Sequence, residues 1–465
     1  MSKAPKQPAP LDFGHPPETI EFWKRLVREA LSLSTPTPFY LCSALPVAEK
    51  ISELDAALVA AGFQSAIANP KSKISFRHWL SLKTQPVAPL LRWWKEQGRP
   101  VEVVSEFELR AAFAEGFAPE NILVNGPAKH RWLPQFGVGV QALACSGNTL
   151  KRELQRGTPL QNLSVNFDSP VELAALLPLA KKFNWRCGVR ILTGEEFDPE
   201  SPELPTQFGF TPDEAVAALK KLLRAKVRVA TVQFHLRSNI STVAVYDRAI
   251  AEVAEVCRAA KFSPQFLDIG GGVPVRQVLS RSGKVFDGEF GLRSFAKMLR
   301  QSVKLFPDVR EVWLENGRFV SASSAVLVVK ILDVKERGGK VESGKRESGK
   351  QPLRQLICDG GRTMNALTSV WEQHALLPLE ERAGSPTLTT VHGPTCMAFD
   401  QLARIPLPRS LRAGDHLLWL EAGAYHIPWE MRFSHGHAAV VWHDEKGLRL
   451  AREPQGFDNW WGQWK

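Results

Sequence analysis

The sequence is poor in cysteine and arranges what it has without pattern. Six cysteines (Cys42, Cys145, Cys187, Cys257, Cys358 and Cys396) are spread over 465 residues with no CxxC pair. That excludes a disulfide framework and a structural zinc site; no metal is expected, and a reducing, cytosolic setting is. No apolar stretch of about 20 uncharged residues occurs, so neither a membrane-spanning helix nor a membrane partner is expected. The N-terminus, MSKAPKQPAPLDFGHPPETIEFW, lacks the apolar core of a signal peptide. It reads as a polar, Pro-rich arm running into a first helix over residues 1–36. No self-similar repeat of about 20–50 residues is visible. The formal net charge is +11, yet no nucleic-acid-binding motif accompanies it. The basic residues are spread along the chain, apart from KERGGKVESGKRESGK at 335–350, which mixes both signs with Gly and Ser. That segment reads as an exposed insertion between strands, and the overall charge as that of a soluble enzyme that handles anions, with no nucleic-acid partner.

What is present is a rhythm. With 44% hydrophobic residues the chain can bury a large core, and its length suggests two domains. Short apolar runs alternate with amphipathic stretches: SFRHWLSLKT then PVAPLLRWWKEQG, VEVVS then EFELRAAFAEG, NILVNG, LSVNFDS then SPVELAALLPLAKKF, CGVRILT then TPDEAVAALKKLLRA, VATVQFHLRS then VAVYDRAIAEVAEVCRAA, FLDIGGG then FGLRSFAKMLRQSVKLF, and EVWLENGRFV. Strands separated by helices pair in parallel, because each return crossover needs a helix. About eight such units predict an α/β fold, a (β/α)8 barrel over residues 37–320. After 320 the pattern changes to SAVLVVKILDVKER, RQLICDGG, DHLLWLEAGAY and HAAVVWHD, strands with few helices between them. A second, mostly β domain is expected over 321–465. The Trp-rich tail, FDNWWGQWK, is expected to pack in the core or at a dimer interface.

In a barrel, chemistry sits at the C-terminal ends of the strands. Here Lys83 ends one strand and His235 another; Gly270, Gly271 and Gly272 follow a third; Glu315, Gly317 and Arg318 follow the last. Successive glycines let a backbone approach a phosphate without Cβ interference, and an arginine adds charge-assisted donors. A strand-end lysine can form a Schiff base with an aldehyde. A flat His235 can stack on an aromatic ring, and Glu315 can keep a pyridine nitrogen protonated, which makes the ring an electron sink.

These residues stand in LDIGGGVP (267–274) and LENGRFV (314–320), followed by GPTCMAFD (393–400) and GDHLLWLEAGAY (414–425). In content, order and spacing they resemble the fold-type III pyridoxal-5′-phosphate (PLP) decarboxylases, the group of ornithine, diaminopimelate and related amino-acid decarboxylases, from about residue 37 to 444. The resemblance implies an alanine racemase-like barrel, PLP as cofactor, decarboxylation through a lysine Schiff base and a carbanionic intermediate, and a homodimer with shared active sites. It puts Lys83 at the Schiff-base position, His235 at the ring-stacking position and Glu315 at the pyridine nitrogen. Ser238, Gly270, Gly271, Gly272, Gly317, Arg318 and Tyr425 fall on the phosphate or its loops, and Glu108 and Arg190 near the cofactor. Cys396 falls on the cysteine that reprotonates the product from the partner chain.

The departures bear on substrate. The family's HxGS reads HLRS, with Arg237 where glycine is usual. KFG reads QFG, with Gln207, and EPGR reads ENGR, with Asn316. After the catalytic cysteine the family has Asp or Glu to touch the distal end of the substrate; here Met397 stands. Asp359 matches the other acidic position, and Arg237 and Arg362 are candidate contacts for an anionic tail. The resemblance therefore implies a substrate other than ornithine or lysine. Two other functions fit part of the pattern. A racemase or epimerase of this fold carries an arginine at the pyridine nitrogen, against Glu315 here. A non-catalytic PLP-binding regulatory homologue loses the lysine or the cysteine, and this chain keeps both.

Overall fold

Eight short parallel strands, each too brief to span a core alone, close on themselves. The structure, a computed structural model, describes residues 12–68, 74–137, 160–196, 206–280, 283, 289–337, 353–365 and 371–465. The first barrel strand runs Ser75–His78 and resumes after Trp79 as Leu80–Ser81. Then follow Val101–Val103, Ile122–Val124, Ser164–Phe167, Arg186–Arg190, Val229–Gln233, Phe266–Asp268 and Glu311–Leu314. Each pairs in parallel with its successor. The last strand pairs with Ser75–His78 while Leu80–Ser81 pairs with Val101–Val103, so the broken first strand joins both ends of the sheet. This is the expected (β/α)8 barrel.

Three of the crossover helices start at side-chain caps. Thr211 and Glu214 make a reciprocal capping box at the start of Pro212–Arg224, whose buried stripe is Ala215, Ala218, Leu219 and Leu222. Ser105 and Ser169 cap Glu106–Ala114 and Pro170–Lys182, each accepting from the backbone N–H three residues on. Inside the barrel, Trp79, Leu123 and Trp313 pack as one cluster with Phe266 against it. Arg186 lies over the Phe266 and Trp313 rings at 4.9 and 5.7 Å. Gly188 is a packing requirement, since a Cβ there would come within 2.1 Å of Asn166 Oδ1. Inward residues nearer the strands' C-terminal ends are polar.

The chain divides into two units: Ala48–Pro274 with Asp287–Val320, which holds the barrel, and Met1–Val47 with Val275–Phe286 and Ser321–Lys465. The second is mostly β. Its sheet runs in the order Gln401–Pro408, Pro386–His392, Leu353–Cys358, Ala325–Arg337, Phe39–Ser43, Ala439–Asp444, Gly447–Arg452, and His416–Trp419 also pairs with Ala325–Arg337. The segment from residue 37, read from sequence as the start of the barrel, does not begin it. Phe39–Ser43 pairs antiparallel with Ala325–Arg337 and parallel with Ala439–Asp444. All five of its residues are buried. A run buried at every position carries no mark of which sheet it joins. The helix Pro17–Ser32 sets Trp23, Leu26, Val27 and Ala30 into the core formed by Phe39, Leu41, Val326, Val328, Leu418 and Val441. Of the insertion at 335–350, residues 338–350 lie outside the described residues, as does Cys145. Among the described residues no helix is long and apolar enough to cross a membrane.

Candidate active site

Lys83 sits in a single 3-10 turn, Leu82–Thr84, that ends the broken first strand. The Thr84 hydroxyl donates to the Ser81 carbonyl at 2.8 Å, which tightens the turn. Gly317, the first residue of the short helix Gly317–Ser321 that follows the last barrel strand, leaves room for it: a Cβ at 317 would lie 2.4 Å from Thr84 Cγ2. The Lys83 ammonium donates to both carboxylate oxygens of Glu102, each at 3.3 Å. Glu102 is buried on the neighbouring strand. Sequence reading did not single it out; its signal was a carboxylate inside the apolar run VEV.

Glu315 is buried and accepts from Asn125 Nδ2 at 2.5 Å. Asn166 Nδ2 donates to Asn125 Oδ1 at 3.0 Å and to Asp268 Oδ2 at 3.2 Å. Asp268 Oδ1 accepts from the Gly270 N–H at 3.1 Å. Burial alone would raise the Glu315 pKa, but His235 and Lys83 hold it below the usual range. Asp268 goes the other way, pushed well up by burial and then by the charge of Glu315. Asn125, Asn166 and the role of Asp268 were also missed. Each is a polar residue at or beyond the end of an apolar strand.

His235 follows Val229–Gln233, and burial pushes its pKa down. Its Nδ1 lies 3.4 Å from Glu315 Oε2 and accepts from the Gly271 N–H at 3.3 Å. The glycine run is enforced by crowding. A Cβ would stand 2.6 Å from His235 Nδ1 at Gly270, 2.6 Å from the Glu315 carbonyl at Gly271 and 2.7 Å from the Tyr246 hydroxyl at Gly272. Gly270 and Gly272 also have positive φ, +62° and +116°. Asn316 holds this loop to the next, its Oδ1 accepting from the Val273 N–H at 3.1 Å, a bond the family's usual proline could not make.

Several expected residues are engaged inside the barrel unit. Arg190 donates to Glu196 Oε1 at 2.6 Å and lies 4.5 Å over the Phe208 ring. Arg237 donates to the Glu195 carbonyl at 3.1 Å, and Glu195 is held bidentately by Arg248. Glu108 accepts from the Val104 N–H at 2.7 Å and is pushed up to about 7 by burial. Ser238 is exposed and Arg318 partly buried.

Cys396, Met397, Asp359, Arg362 and Tyr425 belong to the other unit. Asp359 has both oxygens occupied, Oδ1 by the Lys330 N–H at 2.8 Å and Oδ2 by the Thr37 hydroxyl. Arg362 Nη1 donates to the Phe399 carbonyl at 3.3 Å. Asp400, which sequence reading passed over, joins two loops. It accepts from the Arg362 N–H at 2.6 Å, and from the Thr395 N–H and hydroxyl at 3.0 and 2.6 Å. Cys396 is exposed and Met397 partly buried. Tyr425 takes a left-handed backbone, φ +67°, with its ring stacked on Trp429 at 5.1 Å.

At the barrel's end an amine, a carboxylate held anionic and a glycine cradle with no room for side chains occur together. That set fits PLP: Lys83 would take the aldehyde, Glu315 the ring nitrogen, and Gly270–Gly272 with Arg318 the phosphate. Comparison with known proteins agrees. Residues 137–322 match the family described as pyridoxal-dependent decarboxylase, pyridoxal binding domain. The diaminopimelate decarboxylase of Actinosynnema pretiosum subsp. auranticum is 26% identical over 355 residues, covering 74% of this chain and 72% of that one. Ornithine decarboxylase 2 of Drosophila melanogaster is 26% identical over 356 residues, 73% of this chain and 78% of that one. The crystal structure of diaminopimelate decarboxylase from Helicobacter pylori complexed with L-lysine superposes with a TM-score of 0.72 at 20% identity, covering 94% of this chain and 98% of that one. With cradle, lysine and carboxylate on one barrel rim and these relatives beside it, the findings support a fold-type III PLP-dependent decarboxylase.

Proposed function

We propose that this chain removes the α-carboxylate from an amino acid with a neutral or anionic tail, as a homodimer in which Cys396 of one protomer completes the barrel site of the other. When bound, PLP supplies the electron sink for the pair left on Cα as carbon dioxide departs. The chain's own residues do the rest. Glu102 would orient the Lys83 amine and accept the proton that the nitrogen must lose before it can bond an aldehyde. Glu315, buried and anionic, holds a proton on the pyridine nitrogen. His235 covers one face of the ring and excludes water from it. The Cys396 thiol, exposed on its own protomer, delivers the proton that replaces the carboxylate.

The substrate reading rests on one observation. At the acidic position beside Cys396 stands a thioether, and the remaining acid, Asp359, is already bonded through both oxygens. A buried distal ammonium without a counter-charge is costly, and truncating one partner of such a pair costs about 3–5 kcal/mol. Weak or no turnover of ornithine, lysine and diaminopimelate is therefore expected, and preferred turnover of neutral, acidic or larger conjugated tails. Carbon dioxide release across such a panel, read as kcat/KM, decides it; efficient ornithine or lysine decarboxylation by the wild type overturns the substrate claim. Met397→Asp is the converse: a shift toward diamino acids supports the assignment, and an unchanged ranking places residue 397 outside the tail pocket.

A further inference from the structure

A glycine run can offer backbone N–H groups to a phosphate only if they are not already spent inside the protein. From Gly270 to Val273 most of them are spent. The Gly270 N–H donates to Asp268 Oδ1 at 3.1 Å, the Gly271 N–H to His235 Nδ1 at 3.3 Å and the Val273 N–H to Asn316 Oδ1 at 3.1 Å. The Gly272 N–H has no hydrogen-bond partner among the described residues. Gly270 and Gly271 are buried, whereas Gly272 is partly exposed. We propose that Tyr246 is a positioning residue for the cofactor's phosphate: its hydroxyl holds the Gly271–Gly272 peptide in the orientation that turns the Gly272 N–H away from the core, toward that group. The inference rests on the assignment of the glycine run to the phosphate.

A trans peptide is planar, so its C=O and N–H point in opposite directions. The Gly271 carbonyl accepts from the Tyr246 hydroxyl at 2.8 Å, and Tyr246 is fully buried. Holding the carbonyl on the buried side therefore aims the Gly272 N–H at the open side. The neighbouring carbonyls are held by backbone instead. Gly270 accepts from the Glu315 N–H at 2.7 Å and Gly272 from the Ile240 N–H at 2.8 Å. Among the three glycine carbonyls, that of Gly271 alone depends on a side chain. The approach is close: a Cβ at Gly272 would lie 2.7 Å from Tyr246 Oη.

The hydroxyl is held in place by its ring. Tyr246 stands on the helix Ala244–Ala260, with the Phe295 ring edge-on at 5.0 Å and the Phe290 ring edge-on at 6.2 Å. These two rings pack on each other at 5.5 Å. The phenol makes no other hydrogen bond among the described residues. Burial pushes its pKa far above the usual phenol range, so it remains a donor at physiological pH. A phenol that only satisfied a buried carbonyl would matter for stability alone. One that aims a donor at a phosphate matters for binding the phosphate in particular.

The test compares PLP with pyridoxal, which has the same ring and aldehyde but no phosphate. Full-length wild type and Tyr246→Phe, stripped of cofactor, are titrated with each, and the visible absorption of the bound ligand gives Kd. No substrate is needed, so the outcome is independent of the decarboxylase reading. Wild type should prefer PLP. Tyr246→Phe should weaken PLP about 10-fold or more, the weight of one charge-assisted hydrogen bond, and leave the Kd of pyridoxal where it was. A preference for PLP as large in the variant as in wild type, whether both ligands weaken or neither does, overturns the proposal. If wild type binds the two alike, the cradle assignment itself fails and the proposal with it. Should Tyr246→Phe not fold, Phe295→Leu carries the same test. It keeps the hydroxyl but frees its ring, and it should lower the preference for PLP; an undiminished preference overturns the proposal.

Discussion

Two side chains near the barrel rim translate their surroundings into measurable chemistry. Glu108 is driven up to about 7 by burial, with the Glu102 carboxylate adding to it and the Val104 N–H and Lys83 opposing. An acid whose folded pKa lies above its unfolded one favours the folded state at low pH and loses that stability as pH rises through the folded value. Between pH 5 and 8 the wild type should therefore lose stability that Glu108→Gln does not, by about 2 kcal/mol at most. Tm measured across that range checks the sign: a variant that gains on the wild type as pH falls would contradict the burial account. Lys83 gives the second prediction. Borohydride reduction of the holoenzyme should fix the cofactor to the peptide containing Lys83, and Lys83→Ala should carry no covalent label. Label on another lysine would mean that the first barrel strand is misassigned.

At the scale of elements, the two loops that carry Cys396 and Arg362 share one fastening. The Asp400 carboxylate takes three donors from residues 362 and 395, and the Thr395 hydroxyl also accepts from the Met397 N–H at 3.3 Å. Gly361 and Gly393 are pressed together beside it, a Cβ on either standing 2.4 Å from the other's Cα. Asp400→Ala strands these donors and should cost about 2–4 kcal/mol in chemical denaturation. It should also change the alkylation rate of Cys396, followed on its own peptide by mass spectrometry. An unaltered rate and stability would remove Asp400 from any role in setting that loop. The barrel strands were legible because most of these apolar runs are followed by an amphipathic helix. Phe39–Ser43 was not, since a run buried at every position reads alike in either sheet. Lys83, His235, Gly270–Gly272 and Glu315 showed as polar or glycine tips in sequence. Glu102, Asn125, Asn166 and Asp400 did not, because their meaning lies in the partners they meet in the fold, which the sequence pattern alone does not mark.

At the scale of the whole molecule, Cys396 differs from the other described cysteines: Cys42, Cys187, Cys257 and Cys358 are buried and Cys396 is exposed. Phe399, three residues on, is 58% exposed. A proton donor and a large apolar ring at the surface make sense if a second protomer covers them, and a two-fold axis then builds two equivalent sites, each with Lys83 from one chain and Cys396 from the other. Subunit mixing gives this a number. Lys83→Ala and Cys396→Ala homodimers should each be inactive or nearly so. In a random equal mixture half the dimers are hybrids. Each hybrid has one site with both defects and one with neither, so about a quarter of wild-type activity should return. If Cys396 served its own barrel, every site in every hybrid would carry one defect and activity would stay at the level of the parents. Recovery near a quarter, with sedimentation showing a dimer, supports the shared site. No recovery after verified subunit exchange places the cysteine in cis, and a fully active monomer rules the dimer out.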